Sequence, residues 1–213
     1  MKNFDPTLYF ITDSSGFEEE EFLRRVEAAL DGGATMLQLR EKERSTREYL
    51  SLAKKVHAVS QRYGVPLIID DRVDVALAMD AEGVHLGQSD MPVDIARRIF
   101  GGNRIIGATT KTVEQAEEAV HLGADYLGVG AIYPTTTKVK TVLTSTDTLD
   151  KICKAVDIPV NAIGGLNCGN IDILRGIGIS GICAVSAIMK ADDPKRAAAE
   201  LKAAAIGILQ DAK

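Results

Sequence analysis

Eight short apolar runs, separated by longer amphipathic stretches, constrain the fold of this chain more than any other feature. They occupy residues 8–12, 36–39, 66–69, 83–86, 104–107, 126–129, 159–163 and 181–185. Each is nearly continuous in Val, Ile, Leu and small residues, the pattern of a parallel strand covered on both faces. The intervening segments carry the 3.6-residue period instead. Residues 45–63 set Tyr49, Leu52, Ala53, Val56, Val59 and Tyr63 on one helical face, and residues 194–209 do the same with Ala197, Ala198, Leu201, Ala205 and Ile208.

Local start and stop signals follow the same division. Ser15 with Glu18, Ser45 with Glu48 and Thr112 with Gln115 have capping-box spacing, and Asp193-Pro194 opens a last helix. Gly32-Gly33, Gly64, Gly101-Gly102 and Gly123 stand where helices should stop. Eight strand–helix units in 213 residues come to about 27 residues each, enough for a single-domain α/β (β/α)₈ TIM barrel spanning residues 1–213. An open doubly wound sheet is the rival architecture. The first strand lacks the Gly-x-Gly-x-x-Gly turn that a dinucleotide-binding version would carry.

Bulk chemistry narrows the class of partner. A net charge of −5 provides no general footprint for nucleic acid or acidic membrane, so an anion site would have to be local. No apolar run reaches a membrane span, and the first residues lack a signal-peptide core. Cys153, Cys168 and Cys183 have neither redox nor zinc spacing, which fits reduced structural thiols in a cytoplasmic protein. A homo-oligomer stays open.

In a barrel, chemistry sits at the carboxyl ends of the strands. After strand two, Gln38 and Arg40 are two apart and point together into the barrel, with Lys42 in the loop above. An inward arginine calls for an anion, either a ligand or an internal carboxylate. Strand three ends in Asp70-Asp71 and strand four leads to Asp90; Asp71 and Asp90 either cap the following helices or jointly hold Mg²⁺, which is commonly bound by one or two carboxylates plus substrate phosphates. His85 is either a satisfied core histidine or part of a cavity floor, and His57 and His121 fall within helices. Strand five offers Thr109 and Thr110, strand seven Gly164-Gly165 and strand eight Val185-Ser186. After strand six, Pro134 opens Thr135-Thr136-Thr137-Lys138, either a solvated turn or a phosphate grip. These ends imply two anion sites. One is cationic and metal-assisted, from Arg40, Lys42, Asp71, Asp90 and Lys138. The other is mainly backbone and hydroxyl, from Thr135, Thr137, Gly165 and Ser186.

The sequence resembles the thiamine phosphate synthase family in six ordered motifs covering nearly the whole chain. They are Gln-Leu-Arg-Glu-Lys at 38–42, Asp-Asp-Arg-Val-Asp at 70–74, Gly-Val-His-Leu-Gly-Gln at 83–88 with Asp90, Pro-Thr-Thr-Thr-Lys at 134–138, Ile-Gly-Gly at 163–165 and Val-Ser-Ala-Ile at 185–188. The resemblance implies a barrel enzyme that joins hydroxymethylpyrimidine diphosphate to a thiazole phosphate, two phosphorylated small molecules, and releases pyrophosphate by dissociative substitution. It further implies that Gln38, Leu39, Arg40, Glu41, Lys42, Asp70, Thr109 and Lys138 hold the pyrimidine diphosphate, with Lys138, Arg40, Lys42 and Thr109 closest to the chemistry. Thr135, Thr136, Thr137, Gly165, Val185 and Ser186 would hold the thiazole phosphate, and Asp71 and Asp90 the Mg²⁺. Three positions depart from the family pattern, which usually has Asn at 70, Ser at 109 and Pro at 131. A related thiazole tautomerase and a non-catalytic phosphate-ligand sensor are the alternative readings.

Overall fold

The structure is a computed structural model that describes residues 4–134 and 142–211. Eight parallel strands close on themselves in chain order, with the last paired to the first through Leu8 and Ile182. The strands are β1 (Leu8–Ile11), β2 (Met36–Leu39), β3 (Leu67–Asp70), β4 (Gly83–Leu86), β5 (Ile105–Thr110), β6 (Tyr126–Gly130), β7 (Val160–Ile163) and β8 (Gly181–Ala184). Helices α1 (Glu19–Asp31), α2 (Thr46–Tyr63), α3 (Val73–Ala78), α4 (Val93–Phe100), α5 (Val113–His121) and α6 (Thr146–Ala155) follow β1 to β6 in turn. A 3₁₀ turn, Ile171–Leu174, replaces a helix between β7 and β8, and α7 (Ser186–Met189) and α8 (Pro194–Gln210) complete the ring.

The two-residue period of the strands sorts their side chains into two layers. Leu8, Phe10, Leu37, Leu39, Leu67 and Ile69 face outward and join the apolar sides of the helices in one continuous core. Tyr9, Ile11, Met36, Ile68, Ile105, Tyr126 and Cys183 face inward and plug the barrel. The same alternation puts Gln38 over Met36 and Asp70 over Ile68, so polar groups begin where the apolar plug ends. Among the described residues no helix is long and apolar enough to cross a membrane.

Local signals succeed unevenly. The Ser45–Glu48 capping box forms in full, and Gly64 ends α2 in the left-handed conformation. Thr112 caps α5 by accepting from the Gln115 N–H, while the Gln115 side chain accepts from Lys111 N–H instead of from the cap residue. Ser15 is not the cap: α1 starts later, with Glu18 at its cap position and three acidic residues in its first turn that complement the helix dipole. Tyr63 is on the expected helix but 37% exposed, its hydroxyl beside Glu27 in solvent. Strand five continues three residues past its apolar run, so Thr109 and Thr110 are strand residues facing opposite ways.

Candidate active site

The carboxyl ends of the strands surround a cavity of about 450 Å³, in the usual size range for small-molecule sites. Most of the residues singled out from the sequence meet there. Gln38, Arg40, Lys42, Asp70, Asp71, Asp90 and Thr109 line the arc of β2 to β5, while Gly165, Val185 and Ser186 line the arc of β7 and β8. Two do not present side chains to it. Leu39 points outward into the helix layer, its carbonyl accepting the Tyr49 hydroxyl at 2.6 Å. Glu41 turns away to accept from Ser14 Oγ at 2.8 Å and Arg44 Nε at 3.0 Å. The alternation that brings Gln38 and Arg40 inward sends Leu39 and Glu41 out, so any substrate contact from that pair would have to come from backbone. Thr135, Thr136, Thr137 and Lys138 lie outside the described residues.

The charged arc is knit around Asp70. Lys42 Nζ lies 2.8 Å from Asp70 Oδ2 and also bonds Asp71, and Arg40 Nε lies 3.8 Å from the same Asp70 oxygen. Burial, and after it the neighbouring Asp71 charge, pushes the Asp70 carboxyl from its usual 3.8 up to about 6 in spite of both cations. Burial also works against the Lys42 charge, but Asp70 and Asp71 outweigh it and leave the ammonium more basic than usual. For Asp71, burial is outweighed by Lys42, which holds the carboxyl below its ordinary value. Asp90 is raised, first by burial and then by Asp71.

Neither Asp71 nor Asp90 is a helix cap. The cap positions belong to Arg72 and Pro92, and Asp90 Oδ2 instead accepts the Gly87 N–H at 2.7 Å. Asp71 has φ 60°, a left-handed geometry that aspartate tolerates better than most residues. The two carboxyls are close enough for each to shift the other's ionisation. A pair of neighbouring carboxylates, hard oxygen donors, is the kind of set that suits Mg²⁺. Among the described residues no three His, Cys, Asp or Glu side chains gather to hold a metal, so water and substrate phosphate would have to complete its shell.

The cavity floor is hydrogen-bonded throughout. Gln38 Nε2 donates to Tyr9 Oη at 2.7 Å, Tyr9 Oη is 2.7 Å from Tyr126 Oη, His85 Nδ1 is 3.0 Å from Tyr126 Oη, and His85 Nε2 is 2.9 Å from Thr109 Oγ1. His85 is therefore both a satisfied buried histidine and part of the floor. Burial pushes the Tyr9 and Tyr126 hydroxyls well above their ordinary range, so both stay protonated. Gly107 makes the arrangement possible: a methyl group there would sit 2.1 Å from Tyr126 Cζ and 2.5 Å from His85 Nδ1.

Two residues were not distinguished from sequence. Tyr126 stands at the start of an apolar strand, and nothing local signals that it reaches across the barrel to Tyr9. Lys111 follows β5, lines the cavity and donates to the Gly130 carbonyl at 3.0 Å and the Val142 carbonyl at 2.7 Å. Its clue was only its position just beyond a strand's carboxyl end. The cysteines offer no nucleophile. Burial raises Cys153 to about 12 and Cys183 still further, and the exposed Cys168 is raised as well.

A family profile described as "Thiamine monophosphate synthase" matches residues 8–188. A thiamine-phosphate synthase of Clostridium tetani is 46% identical over 200 residues, covering 94% of this chain and 96% of that protein. One from Enterococcus faecalis is 51% identical over 185 residues, covering 87% of both. The solved thiamine phosphate pyrophosphorylase of Pyrococcus furiosus superposes with a TM-score of 0.86 at 41% identity, over 95% of this chain and 96% of that one. A 3-hexulose-6-phosphate synthase structure, at TM-score 0.70 but 18% identity over 93% of this chain and 99% of its own, shares the fold alone.

Proposed function

This chain belongs to the thiamine monophosphate synthase family, and from that premise we propose how its crater carries out the reaction. The protein is a transferase that condenses 4-amino-2-methyl-5-hydroxymethylpyrimidine diphosphate with a thiazole phosphate, giving thiamine phosphate and pyrophosphate. In our reading the diphosphate enters the charged arc, where Arg40 and Lys42 replace their contacts to Asp70 with contacts to phosphate oxygens. The thiazole phosphate takes the opposite arc, where Gly165, Val185 and Ser186 offer backbone N–H groups and a hydroxyl.

A dissociative substitution suits these residues. As the C–O bond to the diphosphate lengthens, negative charge grows on the leaving group, and Arg40 and Lys42, turned from Asp70 when the substrate binds, stand beside it to stabilise that charge. The electron-rich aminopyrimidine carries the complementary positive charge until the thiazole nitrogen attacks. No covalent nucleophile is needed, and the raised thiols supply none. Asp71 and Asp90 would hold Mg²⁺, which when bound adds positive charge at the departing diphosphate. The inward apolar wall, including Ile11 and Ile163, accommodates the heterocycles and displaces water that would quench a carbocation. The reduced state of the thiols suits a cytoplasmic enzyme.

The observation that carries this reading is the convergence of Arg40 and Lys42 on the Asp70–Asp71 pair inside the same cavity that Gly165 and Ser186 close from the other side. Its test is a pyrophosphate-release assay with each substrate alone and with both, in the presence of Mg²⁺. Release only with both substrates is expected. Binding of either substrate without turnover of the mixture would refute it.

A further inference from the structure

The five floor groups form a single chain, and a chain of hydroxyls and one imidazole can carry only one proton order at a time. The Gln38 amide nitrogen faces Tyr9, so the Tyr9 oxygen accepts from it and the Tyr9 proton must go to Tyr126. Tyr126 then has its own proton for His85 Nδ1, which leaves the ring's single N–H on Nε2, pointing at Thr109 Oγ1. The reverse order would leave the Tyr9 hydroxyl proton without an acceptor at a site 1% exposed. An imidazolium fails on the same count, since it too would force the Tyr126 proton back onto Tyr9.

We propose that Tyr9, Tyr126 and His85 form a one-way hydrogen-bond relay that makes Thr109 a hydrogen-bond donor to the substrate, with His85 a positioning residue acting through Thr109. Resting on the function proposed above, the relay sets substrate specificity. The Thr109 proton, not needed by His85, is directed to an acceptor atom of the bound pyrimidine diphosphate, a ring nitrogen or a phosphate oxygen. At the other end the Gln38 carbonyl oxygen remains for a substrate donor such as an exocyclic amine. The floor thus presents acceptor and donor at its two ends, and the polarity of each is tied to that of the other. Gly107 is part of the device, because any side chain there would occupy the space in which Tyr126 and His85 meet.

The ring nitrogens of His85 report the order directly, without substrate or metal. In ¹⁵N-labelled protein, with the His85 signals identified by their loss in His85→Gln, long-range proton–nitrogen spectra should show Nε2 protonated and Nδ1 bare. Gln38→Glu, studied at a pH high enough to ionise the new carboxyl, places an acceptor-only group before Tyr9, so every bond in the chain should turn over and His85 should switch to the Nδ1–H form by at least tenfold in population. Tyr126→Phe cuts the relay in the middle; kcat should fall about tenfold, the size of one ordinary hydrogen bond, while KM for the thiazole phosphate stays unchanged. A wild-type Nδ1–H ring or imidazolium would overturn the proposal, as would a folded Gln38→Glu protein with an unchanged tautomer. If Gln38→Glu does not fold, the wild-type spectrum and Tyr126→Phe still decide. Absence of pyrophosphate release would sink the proposed reaction and leave the tautomer result standing.

Discussion

Asp70 holds a buried carboxyl that costs the fold stability, and Asp70→Asn measures by how much. The carboxyl is nine-tenths buried, next to a second acid, and its pKa rises from 3.8 to about 6. A raised carboxyl pKa means that the folded state binds the proton more tightly than the unfolded chain. Between pH 4 and 6 the unfolded state holds fewer protons, so stability falls as pH rises through that window. A shift of about two units corresponds to about 3 kcal/mol of cost, fully present at pH 7. An isosteric amide removes that cost but keeps part of the desolvation penalty, so a gain of about 1–3 kcal/mol is expected. For a domain of this length that is a rise in Tm of about 3–9 °C. Melting curves of both proteins in EDTA, without substrates, from pH 4 to pH 7 give the comparison. The gap should be widest at pH 7 and shrink on acidification as wild-type Asp70 takes up its proton. A variant that melts lower at pH 7, or a gap constant across that range, would refute the reasoning.

Three further perturbations address charge, metal and packing. Arg40→Ala, Lys42→Ala and Lys138→Ala should each reduce kcat by about 10²–10³, the usual loss for a preorganised transition-state donor, as read by pyrophosphate release. Chelation should abolish turnover and added Mg²⁺ restore it, with Asp71→Ala and Asp90→Ala requiring at least tenfold more Mg²⁺ for half-maximal rate; unchanged Mg²⁺ dependence in both would remove them as ligands. Gly107→Ala should lower thermal stability by about 1–3 kcal/mol through overpacking against Tyr126 and His85, and a neutral effect in a thermal melt would mean the floor is looser than its contacts indicate.

The barrel is legible in the sequence because parallel strands buried on both faces must be apolar throughout, and eight such runs leave little else for the chain to build. The period-two rule also anticipates that Gln38 and Arg40 share a direction. It implies equally that Leu39 and Glu41 face away, a consequence visible once β2 is bounded by its neighbours. Strand ends are harder to read: β5 runs on into Thr109 and Thr110 because β6 supplies ladder partners there, Gly128 and Val129, which local composition does not encode. The floor relay lies further still from local signals. It joins Tyr9 to Tyr126 across 117 positions of sequence, and only closure of the barrel makes them adjacent. Lys111 is hidden for the same reason, since its two carbonyl partners belong to later parts of the chain.

Those two partners have a consequence for redesign. By fastening the carbonyls of Gly130 and Val142, Lys111 ties both flanks of residues 131–141 to the end of β5. Residues 135–138, proposed above to meet both phosphates, fall between those anchors, so any redesign of Lys111 bears on both substrates at once.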